Sequence, residues 1–278
     1  MAAKSNARLK EPAMSDVMDK PTTLTGKLFD LTGKVAVITG SSRGIGKAIA
    51  EQMAAHGAKV VISSRKAGPC EEVAAAINAR SAGHAIAVPA NISSKDDLQR
   101  LMDETRKAFG QIDILVCNAA SNPFYGSQLD ISDDAFGKIL TNNIVANNWM
   151  IGMVAPEMKA RKDGAIIIVS SIGGLRGSEV IGAYCISKAA DMQLARNLAK
   201  ELGPFNIRVN CVAPGLVKTD FAKALWDTPA GEERASSGTP LRRLGEPDDL
   251  AGAAVYLASR AGAWTTGQTI VVDGGSTC

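Results

Sequence analysis

The chain has 278 residues, with 31 Lys and Arg against 28 Asp and Glu, a formal net charge of +3. That even balance gives no reason to expect a nucleic-acid partner, and 46% hydrophobic with 21% charged residues excludes a disordered or collagen-like chain. No apolar run approaches the roughly 18 residues of a membrane span, so no membrane partner is expected.

Residues 1–27 are polar and mixed in charge, without the apolar stretch of a secretory signal, and predict a flexible leader. From Lys34 onward short apolar runs alternate with longer amphipathic stretches. Val35 to Thr39 predicts a buried strand, and Ile45 to Ala55 a helix after a Gly-rich turn. A strand at Lys59 to Ser63, a helix at Glu71 to Ala79, a strand at Ala85 to Val88 and a helix at Lys95 to Phe109 follow. Strands at Ile114 to Cys117 and Ala165 to Ser170 flank a long helical region from Asp133 to Lys159. A helix at Ala183 to Leu202 leads to strands at Ile207 to Ala213 and Thr269 to Val272. Near-continuous Val/Ile runs mark strands covered by helices on both faces. The expectation is an α/β fold of Rossmann type: one domain over 28–278, with a doubly wound, parallel sheet of seven strands.

Between the first strand and helix stands Thr39-Gly40-Ser41-Ser42-Arg43-Gly44-Ile45-Gly46. Glycines there permit a tight turn, a close backbone approach to pyrophosphate and close packing of helix on sheet. The spacing is not that of a nucleoside-triphosphate loop, and its place between strand and helix predicts dinucleotide binding. Cofactor choice falls to Ser63-Ser64-Arg65-Lys66, after the second strand. No carboxylate stands there to repel a 2′-phosphate, while Arg65 and Arg43 are expected to converge on it; NADP(H) is the predicted cofactor.

Tyr184 and Lys188 lie four apart in a helix and share a face. A neighbouring ammonium favours the phenolate, lowering the phenol toward a useful range for acid/base work. Ser171, at the end of the fifth strand, offers a hydroxyl to the same substrate oxygen. With the upstream Gly-rich loop these residues form a constellation for hydride transfer between a carbonyl and an alcohol.

The loop Thr39 to Gly46, Asn118-Ala119-Ala120, Ser171, Tyr184-x-x-x-Lys188 and Pro214-Gly215 together resemble the short-chain dehydrogenase/reductase family, over about Leu31 to Gly275. The resemblance implies a catalytic set of Asn143, Ser171, Tyr184 and Lys188, with Asn143 supporting a water that links the lysine to solvent. It implies that Gly40, Ser42, Arg43, Gly44, Ile45, Gly46, Ser64, Arg65, Asn91, Ile92, Asn118 and Ala119 line the cofactor, as do Tyr184 and Lys188 themselves. Pro214, Gly215, Val217 and Thr219 would hold the nicotinamide end. Asn91 stands where Asp is commoner, and Ala120 where Gly is usual. Ser63 to Lys66, Asn118 to Phe124 and Arg242 to Pro247 are similar to the NADPH-dependent carbonyl reductases of the retinal and dicarbonyl subgroup. Animal members of that subgroup end in a peroxisomal tripeptide, which Ser276-Thr277-Cys278 is not.

Leu216 to Ala235, the segment after the sixth strand, matches the family's substrate lid. Phe124, Ile172, Val180, Leu225 and Trp226 are expected to build an apolar pocket, with Ser171, Phe124 and Trp226 touching substrate. A 3-oxoacyl-thioester reductase and a non-catalytic nucleotide-binding scaffold remain open alternatives. The resemblance also implies a homodimer or homotetramer joined through the two long helices. Five scattered cysteines without a CxxC pair predict neither a disulfide scaffold nor a metal site, and fit a reducing, cytoplasmic setting. His56 and His84 are expected to be solvated, and Asp133-Asp134 and Asp248-Asp249 to start helices.

Overall fold

The computed structural model describes residues 27–81 and 83–278. The predicted leader lies outside them but for Lys27. Seven parallel strands form one sheet in the order β3-β2-β1-β4-β5-β6-β7. They are β1 (Val35–Thr39), β2 (Lys59–Ser63), β3 (Ala85–Ala87), β4 (Ile114–Cys117), β5 (Gly164–Val169), β6 (Ile207–Pro214) and β7 (Thr269–Val272). The helices between them are α1 (Gly44–Ala55), α2 (Ala67–Asn78), α3 (Lys95–Phe109), α4 (Asp133–Leu140), α5 (Ala146–Arg161), α6 (Gly182–Leu202), α7 (Pro229–Ser237) and α8 (Pro247–Ala258). Short 3₁₀ turns follow β5, at Ile172–Gly174, and β6, at Asp220–Leu225.

Alternate strand residues feed two cores. Ala36, Ile38, Val60, Ile62, Ile114, Val116 and Ile167 face α1, α2 and α8. Val37, Val61, Leu115, Cys117, Ile166, Ile168 and Val209 face α3, α5 and α6. Both sides being covered is why these strands read as unbroken apolar runs. Each fully buried Ile or Leu side chain contributes about 1.5–3 kcal/mol, enough in sum to offset the ordering of so long a chain.

Most predicted elements agree to within a residue or two. Helix α2 starts at Ala67 rather than Glu71, one turn before the amphipathic stretch, with Pro69 inside the first turn, where its missing N–H costs no intrahelical bond. The long region predicted from Asp133 to Lys159 runs to Arg161 and is interrupted by a π-helical turn at Thr141–Val145. Asp133 and Asp134 occupy the first turn of α4, and Asp248 and Asp249 that of α8, where acids complement the helix dipole. Cys70, Cys117, Cys185 and Cys211 are buried free thiols. His84 is a correction: it is half-buried, with Nδ1 enclosed and unpartnered among the described residues, because its loop folds down against β2 and β3.

The reversal of strand order between β1 and β4 opens a crevice beyond the carboxyl ends of the strands. The Gly-rich loop, Asn91-Ile92, Asn118 to Ala120, Ser171 and Pro214-Gly215 come from strand ends or loops on that edge, Tyr184 and Lys188 from the start of α6, and Asn143 from the π-helical turn between α4 and α5.

Candidate active site

The Gly-rich loop leaves β1 at Gly40, whose φ of +67° is left-handed backbone that glycine adopts without strain. A Cβ on Gly46 would lie 2.5 Å from both the Gly40 carbonyl oxygen and Asn118 Nδ2, so α1 can press onto the loop only with glycine there. Asn118 Nδ2 donates to the carbonyls of Thr39 at 2.9 Å and Gly40 at 3.2 Å. Thr39 Oγ1 accepts from the N–H groups of Asn118 and Ala119, both at 3.1 Å. Asn118 therefore spends its amide on holding the loop to β4. No side chain caps α1, whose first turn begins at Gly44 with its N–H donors uncapped. That is the donor set and close backbone approach a pyrophosphate needs, so the loop fits a dinucleotide. Ser42 and Ile45 are half-buried beside it.

Ser171 caps the short turn after β5, its Oγ accepting from Gly173 N at 3.0 Å. Gly174 lets α6 approach that turn: a Cβ there would sit 2.7 Å from the Lys188 carbonyl carbon. Ser170 Oγ reinforces the contact by donating to Lys188 O at 2.7 Å. In this way Ser171 is brought to the face of α6 that carries Tyr184 and Lys188. The Lys188 ammonium lies 5.6 Å from the Tyr184 ring centroid and donates to Val169 O at 2.8 Å. Burial pushes the Tyr184 hydroxyl above its ordinary range, while Lys188 and the Ser171 hydroxyl pull it back and Asp191 adds to the rise. The expected lowering by Lys188 is thus present but outweighed, since desolvation of a phenolate costs more than this partly neutralised ammonium returns. The ammonium stays protonated: burial lowers it, but Asp191 and Tyr184 raise it further.

Asn143 lies in the π-helical turn, fully buried. Its Oδ1 accepts from Ser121 N at 2.8 Å, and its Nδ2 donates to Ser121 O at 3.1 Å and Ser187 Oγ at 3.0 Å. Neighbouring Asn142 links Ser93 and Ser121. These side chains lock the loops after β3 and β4 to α6. Single-turn π-bulges are frequent at functional sites because they turn a backbone carbonyl out of the helical ladder.

Beyond β2, Arg65 is exposed, and Ser64 Oγ lies 3.1 Å from Cys70 Sγ. The Arg43 guanidinium pairs with Asp220 of the segment after β6 at 2.9 Å, a partner that its place in the Gly-rich loop does not foretell. Asn91 is exposed, with Oδ1 accepting from Ser93 N at 3.2 Å in a tight local turn; Ile92 beside it is half-buried. Pro214 ends β6, and Gly215 passes so close to Asp273 that a Cβ would lie 2.8 Å from its Cα. Val217 is buried and bridges to Gly245. The Thr219 methyl stands over Gly44, 3.2 Å from where a Cβ would be. The segment after β6 thus returns to the Gly-rich loop.

That segment forms the turn Asp220–Leu225 and helix α7. Phe221, half exposed, is tilted against the Tyr184 ring, with centroids 5.9 Å apart. Trp226 is half-buried, and its indole N–H is enclosed without a partner among the described residues, as is Asn122 Oδ1. Phe124 is half-buried, its ring close above Gly126. Sequence reasoning missed three residues here: Asp220, Asn147 and Asp191. Asp191, three positions past Lys188 on the same helix face, could have been found by that spacing.

Fold and site together define a protein of the short-chain dehydrogenase/reductase family, to which this chain belongs. A family model described as enoyl-(acyl carrier protein) reductase matches residues 40–277. The rabbit (Oryctolagus cuniculus) protein dehydrogenase/reductase SDR family member 4 is 43% identical over 246 residues, spanning 88% of this chain and 94% of that one. A 7α-hydroxysteroid dehydrogenase solved with NADH and 7-oxo glycochenodeoxycholic acid is similar with a TM-score of 0.84. It is 37% identical, over 89% of this chain and 96% of that one. A gluconate 5-dehydrogenase from Burkholderia cenocepacia, solved with NADP and tartrate, has a TM-score of 0.85 at 31% identity, over 91% of this chain and 98% of that one. The chain is an oxidoreductase of that family. No described helix is long and apolar enough to cross a membrane.

Proposed function

We propose that this protein is an NADP(H)-dependent oxidoreductase that interconverts a ketone or aldehyde and the corresponding alcohol, working as a carbonyl reductase at neutral pH. The observation that carries the reading is the grouping of Ser171, Tyr184 and Lys188 on one wall of the crevice, across from an uncapped α1 N-terminus. A bound nicotinamide would supply the hydride. The phosphate loop from Gly40 to Gly46 would hold the pyrophosphate, and Arg65, with no acid beside it, would favour a 2′-phosphate. Asn91, Ile92, Asn118 and Ala119 would border the adenine side, and Pro214, Gly215, Val217 and Thr219 the nicotinamide side.

Tyr184 would donate its hydroxyl proton to the substrate oxygen as that oxygen becomes an alkoxide. Ser171 Oγ would hydrogen-bond the same oxygen and hold it in line. Lys188 would stabilise the phenolate left behind, and Asn143 would hold α6 and the loop after β4 in register. Burial pushes the Tyr184 hydroxyl upward, and the Lys188 ammonium and the Ser171 hydroxyl pull it back toward the range in which it can give and take a proton. Phe221, with Phe124 and Trp226, would close an apolar wall over the substrate, the segment 216–235 acting as a lid.

A carrier-borne acyl thioester would call for a basic surface at the mouth. Four of the cations there are internally paired: Lys218 with Glu232, Lys223 with Asp227, Arg43 with Asp220 and Arg243 with Asp249, which lowers the free positive charge. That pattern supports a free small substrate. A homodimer or homotetramer through the faces of α5 and α6, where Trp149, Met153, Leu194 and Leu198 remain half-buried, belongs to the same reading, as does a cytoplasmic setting.

The test follows absorbance of the reduced cofactor against a panel of apolar ketones and aldehydes, with NADPH and NADH in parallel. Turnover favouring NADPH, reduced about 10²- to 10⁴-fold in Tyr184→Phe with cofactor binding retained, is the expected result. Wild-type rates in Tyr184→Phe would remove the mechanism, and no turnover by the wild type would leave the scaffold reading.

A further inference from the structure

Asp191 is completely buried one turn beyond Lys188, and it is not an isolated acid. Lys188 Nζ donates to Asp191 Oδ2 at 3.1 Å, and Asn147 Nδ2 donates to Asp191 Oδ1 at 3.0 Å. The same Asn147 amide donates to the Asn143 carbonyl at 2.6 Å, so a buried asparagine joins the π-helical turn to the carboxylate. Burying a carboxylate is costly unless it is paired and hydrogen-bonded, and an apolar side chain at this place on α6 would pack against the core at less cost. What the carboxylate changes is charge. Tyr184 and Lys188 alone would form a unit of charge +1 behind the crevice. Burial pushes the Asp191 carboxyl up, the Lys188 ammonium and the Asn147 amide pull it back, and as the ionised partner of Lys188 it makes the unit neutral.

We infer that Asp191, held by Asn147, is a positioning residue that acts through Lys188: it fixes the ammonium against the Val169 carbonyl and sets, by its charge, the pH at which the Tyr184–Lys188 pair gives up its first proton. The inference rests on reading Tyr184 as the proton donor in carbonyl reduction.

Its sign does not depend on which group loses that proton. The two sites are coupled, and their first step belongs to the pair. A negative charge within a few ångströms makes removal of a proton from either one harder. Neutralising Asp191 therefore moves the first loss to lower pH. In carbonyl reduction, which needs the protonated pair, the falling alkaline limb moves with it. The direction agrees with Asp191 raising both Tyr184 and Lys188.

Other titratable groups facing the unit do not supply this effect. Cys117 on β4 and Cys211 on β6 are buried thiols, both pushed up by desolvation, Cys211 to about 12, so they stay neutral. Cys185 on α6 is raised as well. Arg196, further along α6, acts on Cys211, and the remaining partners, Asn143, Asn147, Ser170 and Ser187, carry no charge.

The experiment compares the pH dependence of kcat for carbonyl reduction in the wild type, Asp191→Asn and Asn147→Ala. Asp191→Asn should move the alkaline limb at least about one pH unit toward acid, as expected for one charge removed at this range in the interior. Asn147→Ala, which weakens the support of the ionised carboxylate, should give a smaller shift in the same direction. An Asp191→Asn limb within about 0.3 units of the wild type overturns the inference, leaving Asp191 a purely structural residue. If Asp191→Asn does not fold, Asp191→Leu, which removes the same charge and fills the buried site, decides by the same criterion. Titration of the full chain labelled with ¹³Cζ-tyrosine and ¹⁵Nζ-lysine follows the same first proton without turnover, the three tyrosines being assigned with Tyr184→Phe. A wild type inactive on every carbonyl would thus defeat the functional reading while this titration still decides the role of Asp191.

Discussion

Arg43 of the phosphate loop and Asp220 at the root of the segment after β6 are ion-paired at 2.9 Å across 177 positions of sequence. The pair is largely exposed, so its own contribution to stability is about 0–1 kcal/mol. Its consequence lies in competition, because a 2′-phosphate drawing on Arg43 must draw it away from Asp220. Replacing Asp220 by Asn should lower the KM for NADPH about two- to fivefold, the ratio corresponding to such a pair, and leave the KM for NADH nearly unchanged. Steady-state kinetics with both cofactors at low and high salt check this, the difference shrinking as salt screens the pair.

Arg65 bears on the same choice from the other side. Exposed and without a described partner, it is available to a phosphate. Arg65→Asp should replace attraction by repulsion, raise the KM for NADPH at least tenfold and bring the preference to NADH. An unchanged NADPH/NADH ratio would show that charge at this position does not select the cofactor.

Lys188 is tied into the interior as well as into the crevice. Its removal leaves Asp191 buried with only Asn147 as a side-chain partner. Lys188→Met should therefore cost about 3–5 kcal/mol of stability in addition to activity, whereas Lys188→Met with Asp191→Leu should recover most of the stability and none of the activity. Urea unfolding of the single and double variants, read as a double-mutant cycle, tests the coupling.

Stability toward acid should depend visibly on Asp249. The Arg243 guanidinium, with help from the Glu246 N–H, holds its carboxyl down at about 2. A carboxyl lowered in the folded state contributes stability that is complete above its ordinary value, near 4, and is lost as pH falls through about 2. Asp249 also closes the capping box at the start of α8, and such a cap is worth about 1 kcal/mol. Asp249→Asn should lower the Tm by about 2–4 °C at neutral pH, and the gap to the wild type should narrow between pH 4 and pH 2. Calorimetry across that range measures both effects.

The parts of the site written in local spacing were legible from the chain. Thr39 to Gly46 between strand and helix marks the phosphate loop, since a pyrophosphate needs glycine at fixed places. Tyr184 and Lys188, four apart, must share a helix face. The parts that were not legible join distant segments. Nothing near Asn118 says that its amide will be spent on the Thr39 and Gly40 carbonyls, and nothing near Arg43 names Asp220. Asn147, just past the π-helical turn at Thr141–Val145, meets Asp191 across 44 positions of sequence, where α5 faces α6. The direction of the Tyr184 shift was also hidden. A sequence shows the ammonium four residues away, but not the depth of burial or the second charge that together outweigh it.

By itself the sequence determined the alternation of strand and helix, the two-sided burial of the sheet and the types of group offered at its carboxyl edge. These follow from side-chain hydrophobicity, backbone sterics and helical period, all short-range properties of the chain. Only the tertiary structure decided which of those groups meet, how much water each keeps, and hence which charges oppose or support one another. Coulombic and desolvation energies depend on distance and burial in space, which residue order does not carry.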